Sequence, residues 1–419
     1  MTPRRVLLVA REFPPSGGAP AIRFTKLAKY LPGLGWEVEV LTIPEDHAWS
    51  PDPTLAAELP TDLPVHRVAR LLAGAVDPRS GAAGAASELR TGWQRRLAAA
   101  ILLPDPGLLW AVPAIRAARR LAPRFDAVLT SAPPFSTHLI GLGVAGRLAW
   151  VADYRDNWTT NAQFRRAAVP HALNGFLERR VLRRAGAVTV VSEAARSELL
   201  GLQPRLASRI RVAMNGFDPD DLPTAEPDRE LFRVVYAGSM RELHDLAPLA
   251  RALAGAAHRN PELGKRVRLE LIGQIPPSVK THAQALLGER FSAPGFVPHR
   301  AALQRSARAA VLIVLIPRAE PGAAALASKL FECLALQRPV LFMGPSGPGA
   351  SLVRALDAGE VVEAADEAGL TAAVLRLFED WRCGRERVAP AHALQPYTRV
   401  ATAEAVGAAL DLAMDQRQP

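Results

Sequence analysis

What most constrains this chain is an alternation of short apolar runs with helix-length segments that begins near the N-terminus and starts afresh halfway along. Arg5–Ala10 is the first run, closed by the turn Phe13-Pro14-Pro15-Ser16-Gly17-Gly18. Ala21–Leu31 then carries Ile22, Leu27, Tyr30 and Leu31 near helical spacing, and Pro32, Gly33 and Gly35 stop it. Val38–Thr42, Ala127–Thr130, Trp150–Asp153, Ala187–Val191 and Ile210–Ala213 read as further strands. After Asn215-Gly216 the pattern restarts with a strand at Phe232–Tyr236, the turn Ala237-Gly238-Ser239 and a helix at Leu246–Ala257. Strands at Leu269–Ile272, Val311–Ile316, Val340–Met343 and Val361–Val362 fill out this second half. Alternation of this kind predicts two α/β domains, each a parallel, doubly wound, Rossmann-like sheet.

The domains are expected at 1–216 and 231–395, joined by the polar, proline-containing linker 217–230. Residues 396–419 form a short turn and a final helix over Ala401–Met414. The Ala-, Gly- and Ser-rich stretch 70–90 reads as a loose insertion. Two such sheets facing each other would bring their strand carboxyl ends to a cleft, where doubly wound sheets bind ligands beside helix N-termini. Pattern alone therefore implies a nucleotide or phosphate ligand and names no reaction.

Of the 419 residues, 49% are hydrophobic and 22% charged, enough for a substantial core in each domain. The net charge of +10 favours nucleotide phosphates, an anionic membrane face or nucleic acid, or else reflects a bias towards Ala and Arg. Arg11 and Glu12 interrupt the first apolar run too early for a signal peptide. The run Ala309–Ile316 falls far short of the ~20 residues a spanning helix needs. Cys333 and Cys383 have neither ligand spacing nor a disulfide framework. These features predict a cytoplasmic, reduced protein whose membrane contact would be peripheral.

Several motifs carry candidate chemistry. Gly17-Gly18 lets the backbone approach a diphosphate, or makes a plain turn; the spacing is not that of dinucleotide binders. Ser328 is a candidate helix N-cap, and Lys329 adds charge to an already positive helix end. Glu332, one turn in, is placed either to accept from two ribose hydroxyls or to serve as a surface carboxylate. Asp153-Tyr154-Arg155-Asp156 closes a strand where such sheets place ligands, with Asp153 and Arg155 on one side and Asp156 on the other. A structural ion-pair cluster is the competing reading. Ser136 or Thr137 would start a helix with His138 in its first turn, lowering the imidazole pKa and suiting it to bond a sugar hydroxyl. A structural histidine is the alternative. Asp218-Pro219-Asp220 matches a metal-binding Asp-x-Asp only superficially and reads as a turn. The basic pairs Arg165-Arg166, Arg179-Arg180 and Arg183-Arg184 would dock on an anionic bilayer or solvate the surface. Few aromatics accompany them, so nucleic acid is not an expected partner.

Nine segments in order resemble the family 4, group 1 retaining glycosyltransferases: Glu12-Phe13-Pro14-Pro15 with Gly17-Gly18; Leu103-Pro104-Asp105 with Trp110; Ser131 to His138; Asp153 to Trp158; Val191-Ser192-Glu193; Asn215-Gly216-Phe217-Asp218; Tyr236-Ala237-Gly238-Ser239; Gly295-Phe296-Val297; and Ser328-Lys329-Leu330-Phe331-Glu332 with Arg338-Pro339-Val340. The resemblance implies a GT-B fold whose C-terminal helix packs back on the N-terminal domain, and a retaining reaction that uses no metal or other cofactor. It implies a nucleotide-sugar donor, with Glu332 on the ribose and Ser328 and Lys329 facing the diphosphate. Gly17, Gly18, Gly238 and Ser239 would line the same phosphates. His138 would approach the sugar, while Asp153, Arg155 and Asp156 would lie on the acceptor side.

Three positions depart from the family pattern. The first acid of its Glu–seven residues–Glu motif falls at Ala324, with Glu320 four residues too early, and Ala327 stands where a Pro is usual. Of the Arg and Lys expected after the Gly turn, only Arg241 is present. A GT-B nucleotide-sugar epimerase and a non-catalytic nucleotide-binding partner protein therefore remain as alternative readings.

Overall fold

Arg4–Val9 (β1) is buried from Val6 onward, as a strand is when helices cover a parallel sheet on both faces. It pairs in parallel with Trp36–Thr42 (β2) on one side and Ala127–Ala132 (β4) on the other. Val65–Arg67 (β3), Ala149–Tyr154 (β5), Ala187–Val190 (β6) and Ile210–Val212 (β7) complete a sheet ordered β3-β2-β1-β4-β5-β6-β7. The second sheet comprises Phe232–Ala237 (β8), Val267–Ile272 (β9), Phe291–Gly295 (β10), Val311–Leu315 (β11), Val340–Met343 (β12) and Gly359–Val362 (β13). Its order is β10-β9-β8-β11-β12-β13, again parallel. Strand order therefore reverses between β1 and β4 and between β8 and β11, the two switch points where such sheets open a ligand crevice.

This computed structural model describes residues 4–47, 51–71, 103–160, 171–240, 245–316, 328–385 and 387–417. The chain divides into two units, Met1–Met214 with Arg399–Pro419, and Asn215–Thr398. The C-terminal helix Arg399–Asp415 belongs to the first unit. Its buried Ala403, Val406, Ala409, Leu410 and Ala413 join a core with Val6, Leu8, Phe24 and Leu27. The alanines let the helix lie close to the sheet.

The segment expected as a linker packs on the second unit instead. Asp228 accepts from the amides of Glu230 and Leu231 and pairs with Arg233 at 2.7 Å, Trp381 Nε1 donates to the Asp228 carbonyl, and Arg338 reaches the Ala225 carbonyl. The unit boundaries accordingly fall at 214/215 and 398/399 rather than at 216 and 395. Sequence pattern did not show β3 and β10, one of the two outer strands of each sheet. Both are short or interrupted and only partly buried, so neither carries a continuous apolar run. The expected insertion at 70–90 lies, from residue 72 onward, outside the described residues.

Candidate functional site

In the second unit, the backbone joins three strand ends beyond the sheet. Gly238 N, after β8, donates to Ile272 O at 2.7 Å; Gly273 N, after β9, donates to Gly295 O at 2.8 Å; and Met240 N donates to Gln274 O at 2.8 Å. The helix Ser328–Ala335, which follows β11 across the switch point, brings Lys329 to this place. Gly238 has φ +148°, and a Cβ there would overlap the Lys329 ammonium. Glycine is needed both for the backbone conformation and for the lysine's passage.

Lys329 Nζ lies 4.9 Å from the centroid of the Tyr236 ring and 3.5 Å from its hydroxyl. That hydroxyl is its one hydrogen-bond partner among the described residues, although an ammonium carries three donors. Burial pulls Lys329 below the usual lysine range, opposed by the charges of Glu332 and Cys333. The result is a covered cation with little to bond, held over a strand end. Glu332, one turn further on, accepts or shares a hydrogen bond with His299 Nε2 at 3.2 Å. Beside Gly273 and Gly295 a pocket of about 430 Å³ opens, lined also by Gln274, Lys280 and the half-exposed Phe296.

The expected site residues of this unit fall into two groups. Gly238, Lys329 and Glu332 gather at the ends of β8 and β11, and the exposed Ser239 follows directly. Arg241, the side chain of Ser328, and the positions Glu320, Ala324 and Ala327 lie outside the described residues. Sequence reasoning assigned no role to Tyr236 or His299. The aromatic residue at the end of β8 was the one available signal for Tyr236, and a histidine opening a helix was the signal for His299.

In the first unit, Gly17 is buried and Gly18, exposed, precedes the helix Ala19–Tyr30 at the end of β1. Across that switch point, β4 leads through Ser131–Ser136 to the helix Thr137–Val144, with His138 in its first turn. Asp105 holds the loop, accepting from the Ser136 amide at 3.1 Å and its hydroxyl at 2.7 Å. His138 is wholly buried, its ring 4.7 Å from that of Tyr154. Burial lowers its pKa to about 3, with Asp153 opposing and Arg155 assisting. The imidazole is neutral, as expected, but desolvation is the main cause.

Asp153 is fully buried in an ion pair with Arg23, whose NH2 and Nε lie 2.7 and 3.2 Å from its two oxygens. Ser131 and Thr189, directly opposite on β4 and β6, each donate at 2.7 Å. Burial pushes this carboxyl up, but the Arg23 charge and these hydrogen bonds outweigh it and hold it below the usual range. Its lone pairs are committed to the fold. Arg155 donates to the Pro133 carbonyl and lies 3.8 Å from Glu12, while Asp156 is exposed. Asp218 accepts from the Asp220 amide at 3.0 Å, making the Asp-Pro-Asp segment a capped turn. Among the described residues, no group of His, Cys, Asp and Glu gathers in a metal-binding cluster, and no helix is long and apolar enough to cross a membrane.

Two Rossmann-like units with functional groups at their switch points define a protein of the GT-B class. Residues 21–221 match the model of Glycosyltransferase Family 4, and residues 232–380 match that of Glycosyl transferases group 1. The chain belongs to this family, the group 1 glycosyltransferases of family 4. No curated protein matches it. Among solved structures it is similar to sucrose-phosphate synthase from Thermosynechococcus elongatus, with 17% identity, 97% of this chain and 98% of that one covered, and a TM-score of 0.63. It is similar also to Anabaena HepE, solved with UDP and glucose, with 15% identity, 97% and 99% covered, and a TM-score of 0.66. A glycosyltransferase from Rickettsia africae matches at 16% identity over 99% of this chain and 97% of that one, with a TM-score of 0.58. At such identities the likeness shows the shared fold.

Proposed function

We propose that this glycosyltransferase moves a hexose-type sugar from a nucleotide-sugar donor to a glycan, lipid-carrier or small-molecule acceptor, retaining the anomeric configuration and using no metal or other cofactor. The observation that carries this reading is Lys329, a covered ammonium with one hydrogen-bond partner among the described residues, beside Gly238 at a switch point. Glycosidic cleavage leaves growing negative charge on the nucleoside diphosphate, and a positioned cation in a water-poor site stabilises that charge strongly. Glu332 binds the ribose hydroxyls, the neighbouring pocket takes the base, and Gly238, Ser239 and the Ser328 helix end line the phosphates. His138 bonds a sugar hydroxyl. The exposed Asp156 and the Arg155 beside it serve the acceptor, with Asp153 acting through the fold.

In the reaction the bond from the anomeric carbon to the phosphate oxygen breaks and a bond to the acceptor oxygen forms on the same face. The departing phosphate takes the acceptor's proton. HepE solved with UDP-glucose supports a nucleotide-sugar donor. Arg179, Arg180, Arg183 and Arg184 are exposed on the helix His171–Arg184 beside half-exposed Phe176, a surface suited to peripheral contact with the anionic inner face of a membrane. Co-sedimentation with anionic but not neutral vesicles tests that contact, and equal binding to both contradicts it.

A thermal-shift screen of nucleotide sugars identifies the donor, and turnover is then measured in Lys329→Ala and Glu332→Ala. Loss of roughly 10²–10³ in kcat is expected for the lysine variant. Wild-type rates in both variants end the proposal. Conversion of donor without acceptor into an epimeric sugar nucleotide would instead favour the epimerase reading.

A further inference from the structure

Strand register turns Arg233 of β8 and Glu270 of β9 to the same face of the second sheet, because Glu270 pairs with Val235, two residues beyond Arg233. The helix His299–Ala307 covers part of that face, its Leu303 and Ala307 sharing a core with Val235 and Ile272. Ala301, Gln304, Arg305 and the capping Arg308 recur at helical spacing on another side of the helix. Those four residues, with Arg233 and Glu270, line a second pocket of about 420 Å³. It shares no residue with the pocket beside Gly273 and Gly295.

Two of the three arginines are already paired. Arg233 Nε lies 2.7 Å from Asp228, and Arg305 donates to Glu270 Oε1 at 2.8 Å. The exposed guanidinium of Arg308 has no hydrogen bond or ion pair among the described residues. Glu270 is only 7% exposed, yet its Oε2 accepts from no described residue. A buried carboxylate oxygen without a donor disfavours the fold unless a ligand or water supplies one. The amide of Gln304 is equally uncommitted and can both donate and accept.

These groups ask for two things of an occupant. A free guanidinium fork suits a phosphate group. A bare anion would face the Glu270 carboxylate with nothing to donate, whereas a sugar hydroxyl donates to it. We infer that this pocket is a second small-molecule site that takes a hexose phosphate, its phosphate on Arg308 and its hydroxyls on Glu270 Oε2 and Gln304. The site stands independently of the transferase reading, since no residue of it takes part there.

Calorimetry on the whole chain tests this with the 1- and 6-phosphates of glucose, galactose and mannose, the free sugars, and inorganic phosphate. At least one hexose phosphate is expected to bind, with its free sugar and inorganic phosphate about 10-fold or more weaker. Arg308→Gln should weaken that binding by about 10-fold or more. Ala301→Trp, which fills the pocket without changing its charge, should weaken it as much. Neither side chain belongs to the helix's buried face, so both variants should keep the wild-type thermal midpoint. Lys329→Met should bind the hexose phosphate as wild type does. Absence of hexose phosphate binding overturns the inference, as does inorganic phosphate bound equally tightly. Wild-type affinity in both pocket variants overturns the location, and weakening in Lys329→Met alone would move the ligand to the donor site.

Discussion

Asp153 shows how a residue can be placed by sequence and still be defined by partners the sequence does not reveal. Strand alternation put it at the carboxyl end of β5, but Arg23 lies 130 positions away, and nothing local indicates that the two meet in the core. Removing one member of a buried pair leaves the other charge uncompensated. Asp153→Ala is therefore expected to cost about 3–5 kcal/mol in denaturant unfolding. A loss within the range of an ordinary surface substitution would contradict that role. His138 gives a pH dependence of definite sign. Its pKa is about 3 in the fold against an ordinary value of 6.5, so between these values the unfolded chain binds more protons. The contribution is fully present above the ordinary value and is lost as pH falls through that window. The wild-type thermal midpoint should fall on acidification, and His138→Gln should flatten the fall. Parallel pH profiles would refute the assignment.

At the scale of elements, the alternation of strand and helix was legible because each inner strand, covered on both faces, needs a nearly continuous apolar run. Of the four outer strands, β3 and β10 lack one and were missed, whereas β7 and β13 were expected. The helix Ser328–Ala335 was readable from its local Ser-Lys-x-Phe-Glu segment. Its seat was not, because Tyr236 lies 93 positions before Lys329 and is brought beneath it only by the pairing of β8 with β11. This seat depends on Gly238. Gly238→Ala should leave the fold cooperative, since the turn lies outside the sheet, yet displace the lysine and weaken donor binding by about 10-fold or more. Unchanged donor affinity by calorimetry would mean that the lysine does not need this approach.

For the whole molecule, the chain leaves its first unit at Met214 and returns to it at Arg399. The final helix buries Val406, Ala409 and Leu410 in the core of that unit. Truncation after Thr398 should consequently abolish the cooperative unfolding of the first unit and leave the second folded, which scanning calorimetry with limited proteolysis distinguishes. Loss confined to the second unit would contradict the assignment of the helix. Everything proposed about catalysis comes back to a diphosphate meeting the ammonium of Lys329. The most direct measurement is calorimetric binding of nucleoside diphosphates and their matching nucleosides to wild type and to Lys329→Met. Binding of the diphosphate that wild type takes up is expected to weaken by about 10-fold or more in the variant, with the nucleoside unaffected. Equal diphosphate affinity in the two proteins would contradict it.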